Sequence, residues 1–348
     1  MRVLLLGPYP PPWGGVQTNL VAIRRFLRER GHACAAVNLT RHRRADADDV
    51  YYPDSAAGVV RLLMRLPYDI AHIHIGGNVS TRLLHLSLAL CAMPRSRAVL
   101  TLHSGGYPES PHGLAARPAS FRGFVFRRFD RIIGVNEAQV RMFRRFGVAP
   151  ERVRLISPHA LTDDWHDAAL PREMQNFFDA HDPALITVSG LRPEYDVPLQ
   201  VDALGAVRER HPRAGLLVVG TGEQEEEIRR HAAAKPYGEH VMICGDVAHE
   251  VALRAVSESD LFLRTTRYDG DAISVREALH LGVPVIATDN GMRPAGVSLV
   301  PVADGAALVA AVEAQLARPA ESRAAGNGAK DEQNVVEVFK LYEELLAP

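Results

Sequence analysis

Apolar and polar positions along this chain follow two alternating rhythms. "RVLLLG" (2–7) is an apolar run closed by glycine, the pattern of a strand buried on both faces. Residues 14–32 open on a glycine pair and then place Leu20, Ile23, Phe26 and Leu27 at helical spacing, with Gly31 as the stop. "ACAAVNL" reads as a strand, "GVVRLLMRLP" as a helix ended by Pro67, and "IAHIHIGG" as a strand ending in Gly76 and Gly77. "TRLLHLSLALCAMP" is a helix and "RAVLTLHSGG" a strand with its own glycine pair. "FRGFVFRRF" leads into the strand "RIIGVN", and "EAQVRMFRRFG" and "VRLISP" continue as helix and strand. Repeated strand-then-helix order predicts a parallel sheet with helices on both faces.

The rhythm breaks at 161–182, which is polar and irregular with two aspartates beside Trp165, and is expected to be a linker. It then resumes through "ALITVSG", "VPLQVDALGAVRERHP", "AGLLVVGTG", "EQEEEIRRHAAA", "HVMICGDV", "EVALRAVSES", "DLFLRTT", "PVIATDNG" and "GVSLVPV". "PAESRAAGNGAKD" is small and polar, a flexible connection, and "EQNVVEVFKLYEELL" is an amphipathic last helix. The expected organisation is a first Rossmann-like domain over 1–163, a linker over 164–182, a second such domain over 183–330 and a final helix over 331–348. Ligands of such sheets bind beyond the carboxyl ends of the strands, and the cleft between two facing domains is the default site.

Composition narrows the class. The chain has 348 residues, 47% apolar and 23% charged, which suits two soluble domains. No apolar run reaches the ~18–20 residues that span a bilayer. The start, "MRVLLLGPYPPPWGG", reads as a buried strand and turn rather than a signal peptide. Cys34, Cys91 and Cys244 are far apart and apolar in setting, so a reducing compartment fits and a zinc site does not. Net charge is −1, but residues 1–160 hold 23 Arg, no Lys and 10 acids, leaving 17 basic and 31 acidic residues in 161–348. A basic half points to an anionic partner, or to an acidic half that complements it.

Several loops can carry chemistry. Gly14 and Gly15 follow the first strand and open a helix, which admits close backbone approach by an anion. Gly220, Thr221 and Gly222 repeat the device in the second half, for a nucleotide base or phosphate. His103 ends a strand before a flexible loop. His72 and His74 stand at period two and share a sheet face, so a metal pair is one reading of them, although no third ligand is visible. In "RYDGDAISVREALHLGVPVIATDNG" (267–291), Ser274 and Glu277 have the spacing of a capping box. The box leaves Asp269 and Asp271 unexplained; a loop before a helix N-terminus also suits a diphosphate, and an acid there suits ribose hydroxyls. Spacing alone leaves capping and ligand binding open.

Together these segments resemble the retaining glycosyltransferases of family 4, which have the GT-B fold: α/β, with two Rossmann-like doubly wound parallel-sheet domains facing a central cleft. The resemblance covers nearly the whole chain. It rests on "PPWGG", "RERGH", "YDIAHIH", "TLH", "HPRAGLLVVGTGE", "SESDLFLRTT" and above all "DGDAISVREALHLGVPVIATDNG", where two acids, Asp269 and Glu277, stand eight apart. It implies that Glu277 binds the ribose and that Asp269 contacts the transferred sugar. The loop Gly270, Asp271, Ala272, Ile273 and Ser274 would face the diphosphate. Gly14 and Gly15 would lie near the phosphates, His103 near the sugar, and Gly220 and Gly222 near the nucleoside. The first domain would take the acceptor, and the final helix would cross back to it.

The departures from the family are specific. The first acid is Asp where Glu is usual. The loop after the second domain's first strand reads "SGLRPEYDVPL", so Arg192 supplies one cation, but Tyr195 and Asp196 stand where the family has Lys-Gly. Arg264, Arg267 and Arg293 are candidates to compensate, and the sequence does not rank them. "SPH" at 157–159 replaces another family motif at the cleft rim. The resemblance implies sugar transfer from a nucleotide diphosphate sugar to a hydroxyl acceptor (a glycan, a lipid-linked molecule or a small molecule), with retention and no metal or other cofactor. Nucleic acid has no role for the acid pair. A cytoplasmic enzyme of polysaccharide biosynthesis is expected. "FRGFVFRRF" and "RMFRRFG" read either as ordinary amphipathic helices or as a face resting on the inner side of an anionic membrane. The alternatives are a nucleotide-sugar-binding protein without transfer activity and a sugar-nucleotide epimerase of the same fold.

Overall fold

The computed structural model describes residues 1–11, 13–41, 48–94, 96–156, 165–267, 272–291, 293–318 and 333–347. The chain forms two compact units, Met1–Ala160 with Asp331–Pro348, and Leu161–Lys330.

In the first unit the strands are β1 (Arg2–Gly7), β2 (Ala33–Asn38), β3 (Val50–Tyr51), β4 (Ile70–Ile75), β5 (Arg97–Leu102), β6 (Arg131–Gly134) and β7 (Val153–Leu155). They form one parallel sheet in the order β3-β2-β1-β4-β5-β6-β7. The helices are α1 (Gly15–Glu29), α2 (Ala56–Arg65), α3 (Thr81–Cys91), α4 (Pro111–Leu114), α5 (Phe121–Phe126) and α6 (Glu137–Arg145). Strand alternation sorts β1 between two layers. Leu4 and Leu6 pack under α2, α3, α5 and α6, whereas Val3 and Leu5 pack under α1 and the final helix, Gln333–Leu346.

The final helix is joined to this unit by more than apolar contact. His72 lies fully buried on β4 beneath it. The Tyr342 hydroxyl stands 2.5 Å from His72 Nδ1, and the Thr101 hydroxyl 2.7 Å from Nε2. Burial pushes His72 down to about 3, so the ring is neutral, with one nitrogen donating and the other accepting. Tyr342→Phe strands one ring nitrogen in the core. It is expected to lower unfolding stability by roughly 1–3 kcal/mol, measured as a shift of the urea midpoint at unchanged slope.

In the second unit β8 (Ala184–Val188), β9 (Gly215–Val219), β10 (Val241–Gly245), β11 (Leu261–Arg264), β12 (Val285–Thr288) and β13 (Val297–Val300) form a parallel sheet in the order β10-β9-β8-β11-β12-β13. Its helices are α7 (Arg172–Ala180), α8 (Val197–Arg210), α9 (Glu225–Ala233), α10 (His249–Ser257), α11 (Ile273–His280) and α12 (Gly305–Leu316). α8, α9 and α12 cover one face, and α7, α10 and α11 the other.

Two elements depart from the sequence reading. The expected linker contains α7, because Met174 and Phe177 at helical spacing are buried against β8 and β9. α12 was given no element by the pattern; it is apolar nearly throughout and shows no clear polar face.

In both sheets the strand order reverses at one place, between β1 and β4 in the first and between β8 and β11 in the second. The crevice beyond the carboxyl ends at such a reversal is where open α/β sheets take ligands.

Candidate active site

At the reversal of the second sheet, the loop after β8 meets the loop after β11. Arg192 in the first loop is exposed, and its side chain has no hydrogen-bond or ion-pair partner among the described residues. Asp196 adopts the left-handed conformation, φ 49° and ψ 44°, at the start of α8. Such a conformation suits glycine, and aspartate is among the few other residues that tolerate it. Its carboxylate accepts from Arg267 Nε at 3.2 Å, and the Thr265 hydroxyl holds the carbonyls of Tyr195 and Asp196 at 3.0 and 3.1 Å.

Arg264 ends β11 and is 7% exposed. It donates to the Val188 carbonyl at 3.0 Å and to Ser274 Oγ at 3.4 Å, and its guanidinium lies 4.7 Å over the Tyr195 ring. A permanent cation is therefore buried between the end of β8 and the first turn of α11. The three arginines that the sequence left equal differ in setting. Arg267 is exposed and paired with Asp196, and Arg293 donates to the Thr288 carbonyl at 2.9 Å, so Arg264 is the buried one facing α11. Close by, the Ser189 and Thr266 hydroxyls are buried with no partner among the described residues, and orphaned polar groups of this kind are rare.

The capping box at the start of α11 does not form. The helix cap is Ala272, with no side-chain bond, and Ser274 is already the second helical residue. Ser274 Oγ turns to Arg264, and Glu277 Oε1 accepts instead from His249 Nε2 at 2.7 Å. The first amides of α11, including that of Ile273, have no acceptor within the helix. Asp269, Gly270 and Asp271 lie outside the described residues, as do residues 157–159.

His249, on α10, was missed by sequence reasoning. It stands 28 residues before Glu277 on another helix and belongs to no motif. Burial pulls its imidazolium down, but the charge and hydrogen bond of Glu277, with the charge of Glu250, lift it above the ordinary histidine value.

The glycines after β9 have a packing cause. Gly220 has φ +130°, and a Cβ there would lie 1.9 Å from the Ser189 carbonyl oxygen; at Gly222 it would lie 2.2 Å from that of Leu191. The amides of Leu191 and Gln224 close the same contact, bonding Thr221 O and Leu191 O at 3.0 Å. These glycines let one loop lie on the loop that carries Arg192.

In the first unit, Gly14 caps α1 in extended conformation and Gly15 is the first helical residue, both exposed. Beyond β5, the His103 amide bonds Ile75 O at 2.8 Å, and His103 Nε2 stands 3.1 Å from His74 Nδ1. The His72 and His74 rings are 4.1 Å apart. Burial pushes His74 well below its usual value and His103 down to about 3. The period-two histidines do not converge on an ion, since Tyr342 and Thr101 occupy both nitrogens of His72. No group of three metal-ligating side chains occurs among the described residues.

Each Rossmann-like unit carries polar groups at its own strand-order reversal, and comparison with known proteins gives the class. The Glycosyltransferase Family 4 model matches residues 13–160, and the Glycosyl transferases group 1 model matches residues 173–331. The chain belongs to the family 4 glycosyltransferases, of GT-B fold, and transfers sugar from a nucleotide sugar. It is 27% identical over 325 residues to a GDP-mannose-dependent alpha-(1-6)-phosphatidylinositol monomannoside mannosyltransferase of Mycobacterium tuberculosis, covering 84% of this chain and 82% of that protein. It is 24% identical over 163 residues to the alpha-D-kanosaminyltransferase of Streptomyces kanamyceticus, covering 45% of this chain and 42% of that one. In fold it is similar to HepE of Anabaena in complex with UDP-glucose, with TM-score 0.75, 18% identity and 99% of both chains covered. It is also similar to the sucrose-phosphate synthase of Thermosynechococcus elongatus, with TM-score 0.71, 18% identity and 100% of both chains covered.

Proposed function

We propose that the enzyme moves a sugar from a nucleotide diphosphate sugar to a hydroxyl acceptor with retention, its own cations rather than a metal ion carrying the leaving group's charge. The observation that carries this reading is Arg264, a buried guanidinium at the positive end of α11 and at the strand-order reversal. Arg264, Arg192 and the amides of the 270–273 loop with Ser274 bind the diphosphate. Glu277 accepts from the ribose hydroxyls, and Asp269 holds the transferred sugar. The neutral His103 hydrogen-bonds that sugar, while Gly14 and Gly15 admit the phosphates. Gly220 and Gly222 act through the loop they shape.

The bond between the anomeric carbon and the diphosphate oxygen breaks, and its electron pair goes to that oxygen. The acceptor oxygen bonds the anomeric carbon on the face the diphosphate leaves, and the acceptor's proton passes to the departing diphosphate. Fixed positive charge at that oxygen stabilises the transition state more than the ground state. The test is transfer itself, with nucleoside diphosphate release and glycoside formation followed together in the presence of an acceptor. Release in equal amount with no glycoside formed would remove the reading.

A lipid-linked acceptor is favoured by one surface. On the layer of α2, α3 and α5, Met64 is 67%, Phe121 44% and Phe124 41% exposed, and Arg128 stacks on Phe124 at 4.6 Å. Apolar side chains among arginines suit an anionic bilayer. Sedimentation with phosphatidylglycerol vesicles at low salt is expected, with loss at high salt and with phosphatidylcholine; free protein under all three conditions would remove the membrane. No helix among the described residues is long and apolar enough to cross one.

A further inference from the structure

We infer that His249 is a positioning residue, holding the carboxylate of Glu277 in the orientation that receives the ribose hydroxyls of the donor. The inference rests on the reading of Glu277 as the ribose ligand. His249 opens α10, Glu277 lies in the second turn of α11, and the two helices pack side by side. The 2.7 Å bond joins side chains that are only 14% and 7% exposed. A buried carboxylate must be paired to stay ionised, and only the ionised form accepts through both oxygens. The bond from His249 holds Oε1 and so biases the carboxylate toward one orientation, which pre-sets it for a diol.

The pair is not the main cohesion between these helices. Ala252, Ala255, Val256, Val275 and Ala278 already bury the two helices in one apolar cluster, and a buried ion pair seldom stabilises more than apolar side chains of the same size. The helix end also opposes a cation at His249, the first residue of α10. The groups that offset this are Glu277 across the interface and Glu250 beside it. The imidazolium therefore persists to higher pH than that of an ordinary histidine, and positioning weakens as pH rises through the lifted value. Above it the ring still offers one N–H, so the bond weakens without vanishing.

The test is calorimetric titration of the full chain with GDP and UDP, each against its 2′-deoxy and 3′-deoxy forms, between about pH 6 and pH 9. Wild type is expected to bind one of the two and to prefer the ribose form over at least one deoxy form by about tenfold or more, the preference falling as pH rises. His249→Leu is expected to lose most of that preference at every pH. His249→Gln, which keeps a donor without a charge, is expected to retain part of it and to lose the pH dependence. A His249→Leu protein that discriminates as wild type does, beside a Glu277→Gln protein that does not, overturns the positioning role alone. Undiminished discrimination in Glu277→Gln, or no binding of either diphosphate by wild type, overturns the ribose reading and this inference with it.

Discussion

Arg264→Met is expected to lower kcat by about a hundredfold to a thousandfold, the loss typical when one donor to a developing oxyanion is removed. The guanidinium is buried and can neither shed its charge nor be replaced by water. Its contacts place that charge between β8 and the first turn of α11, where the proposed function puts the leaving diphosphate. Methionine fills a similar volume without charge. The substitution leaves the Val188 carbonyl short of a donor, worth roughly 1–3 kcal/mol of stability, so the unit is expected to stay folded. Arg264→Lys keeps the charge but loses the planar stacking on Tyr195 and is expected to recover only part of the rate. Steady-state kinetics beside thermal unfolding separates the effects. A kcat within threefold of wild type in a folded Arg264→Met protein contradicts the role.

Glu277→Gln is expected to lower kcat/KM by about two to three orders of magnitude, since truncating one member of a buried charged contact costs roughly 2–5 kcal/mol. The change is isosteric, so lost affinity for the nucleotide sugar reports the charge. Stability should suffer less than for most buried pairs, because the stranded partner is an imidazole and can lose its proton. The sign follows from the raised value of His249. The pair stabilises the fold fully below the unfolded histidine value, and that contribution disappears as pH rises through the folded one. The variant's stability deficit is therefore largest in mildly acidic solution and shrinks in alkaline solution, measurable as midpoints of urea unfolding across pH. A deficit that grows with pH would contradict the pairing.

Much of this arrangement was legible in the residues. Runs such as "RVLLLG" and "GLLVV" mark strands because both faces of a parallel sheet are buried, and they became β1 and β9. α7 was not legible, because its nine residues show only two buried apolar positions. The stretch 267–291 stood out in the sequence as a candidate site, but its contacts did not. Ser274 and Glu277 have the spacing of a capping box, yet each bonds a residue outside its own helix, Arg264 and His249, which no local pattern can reveal. The left-handed Asp196 and its bond to Arg267 likewise join loops about seventy residues apart. Gly220 and Gly222 drew attention as a phosphate-binding device, and their close approach is to the carbonyls of Ser189 and Leu191.

The most direct measurement is the anomeric configuration of the product. The full chain is incubated with UDP- and GDP-sugars and with hydroxyl acceptors, lipid-linked ones included, and any glycoside is read by proton NMR against released diphosphate. One nucleoside diphosphate is expected per glycoside, with the sugar keeping the configuration it had in the donor. An inverted glycoside, or diphosphate release that no acceptor converts into glycoside, would contradict it.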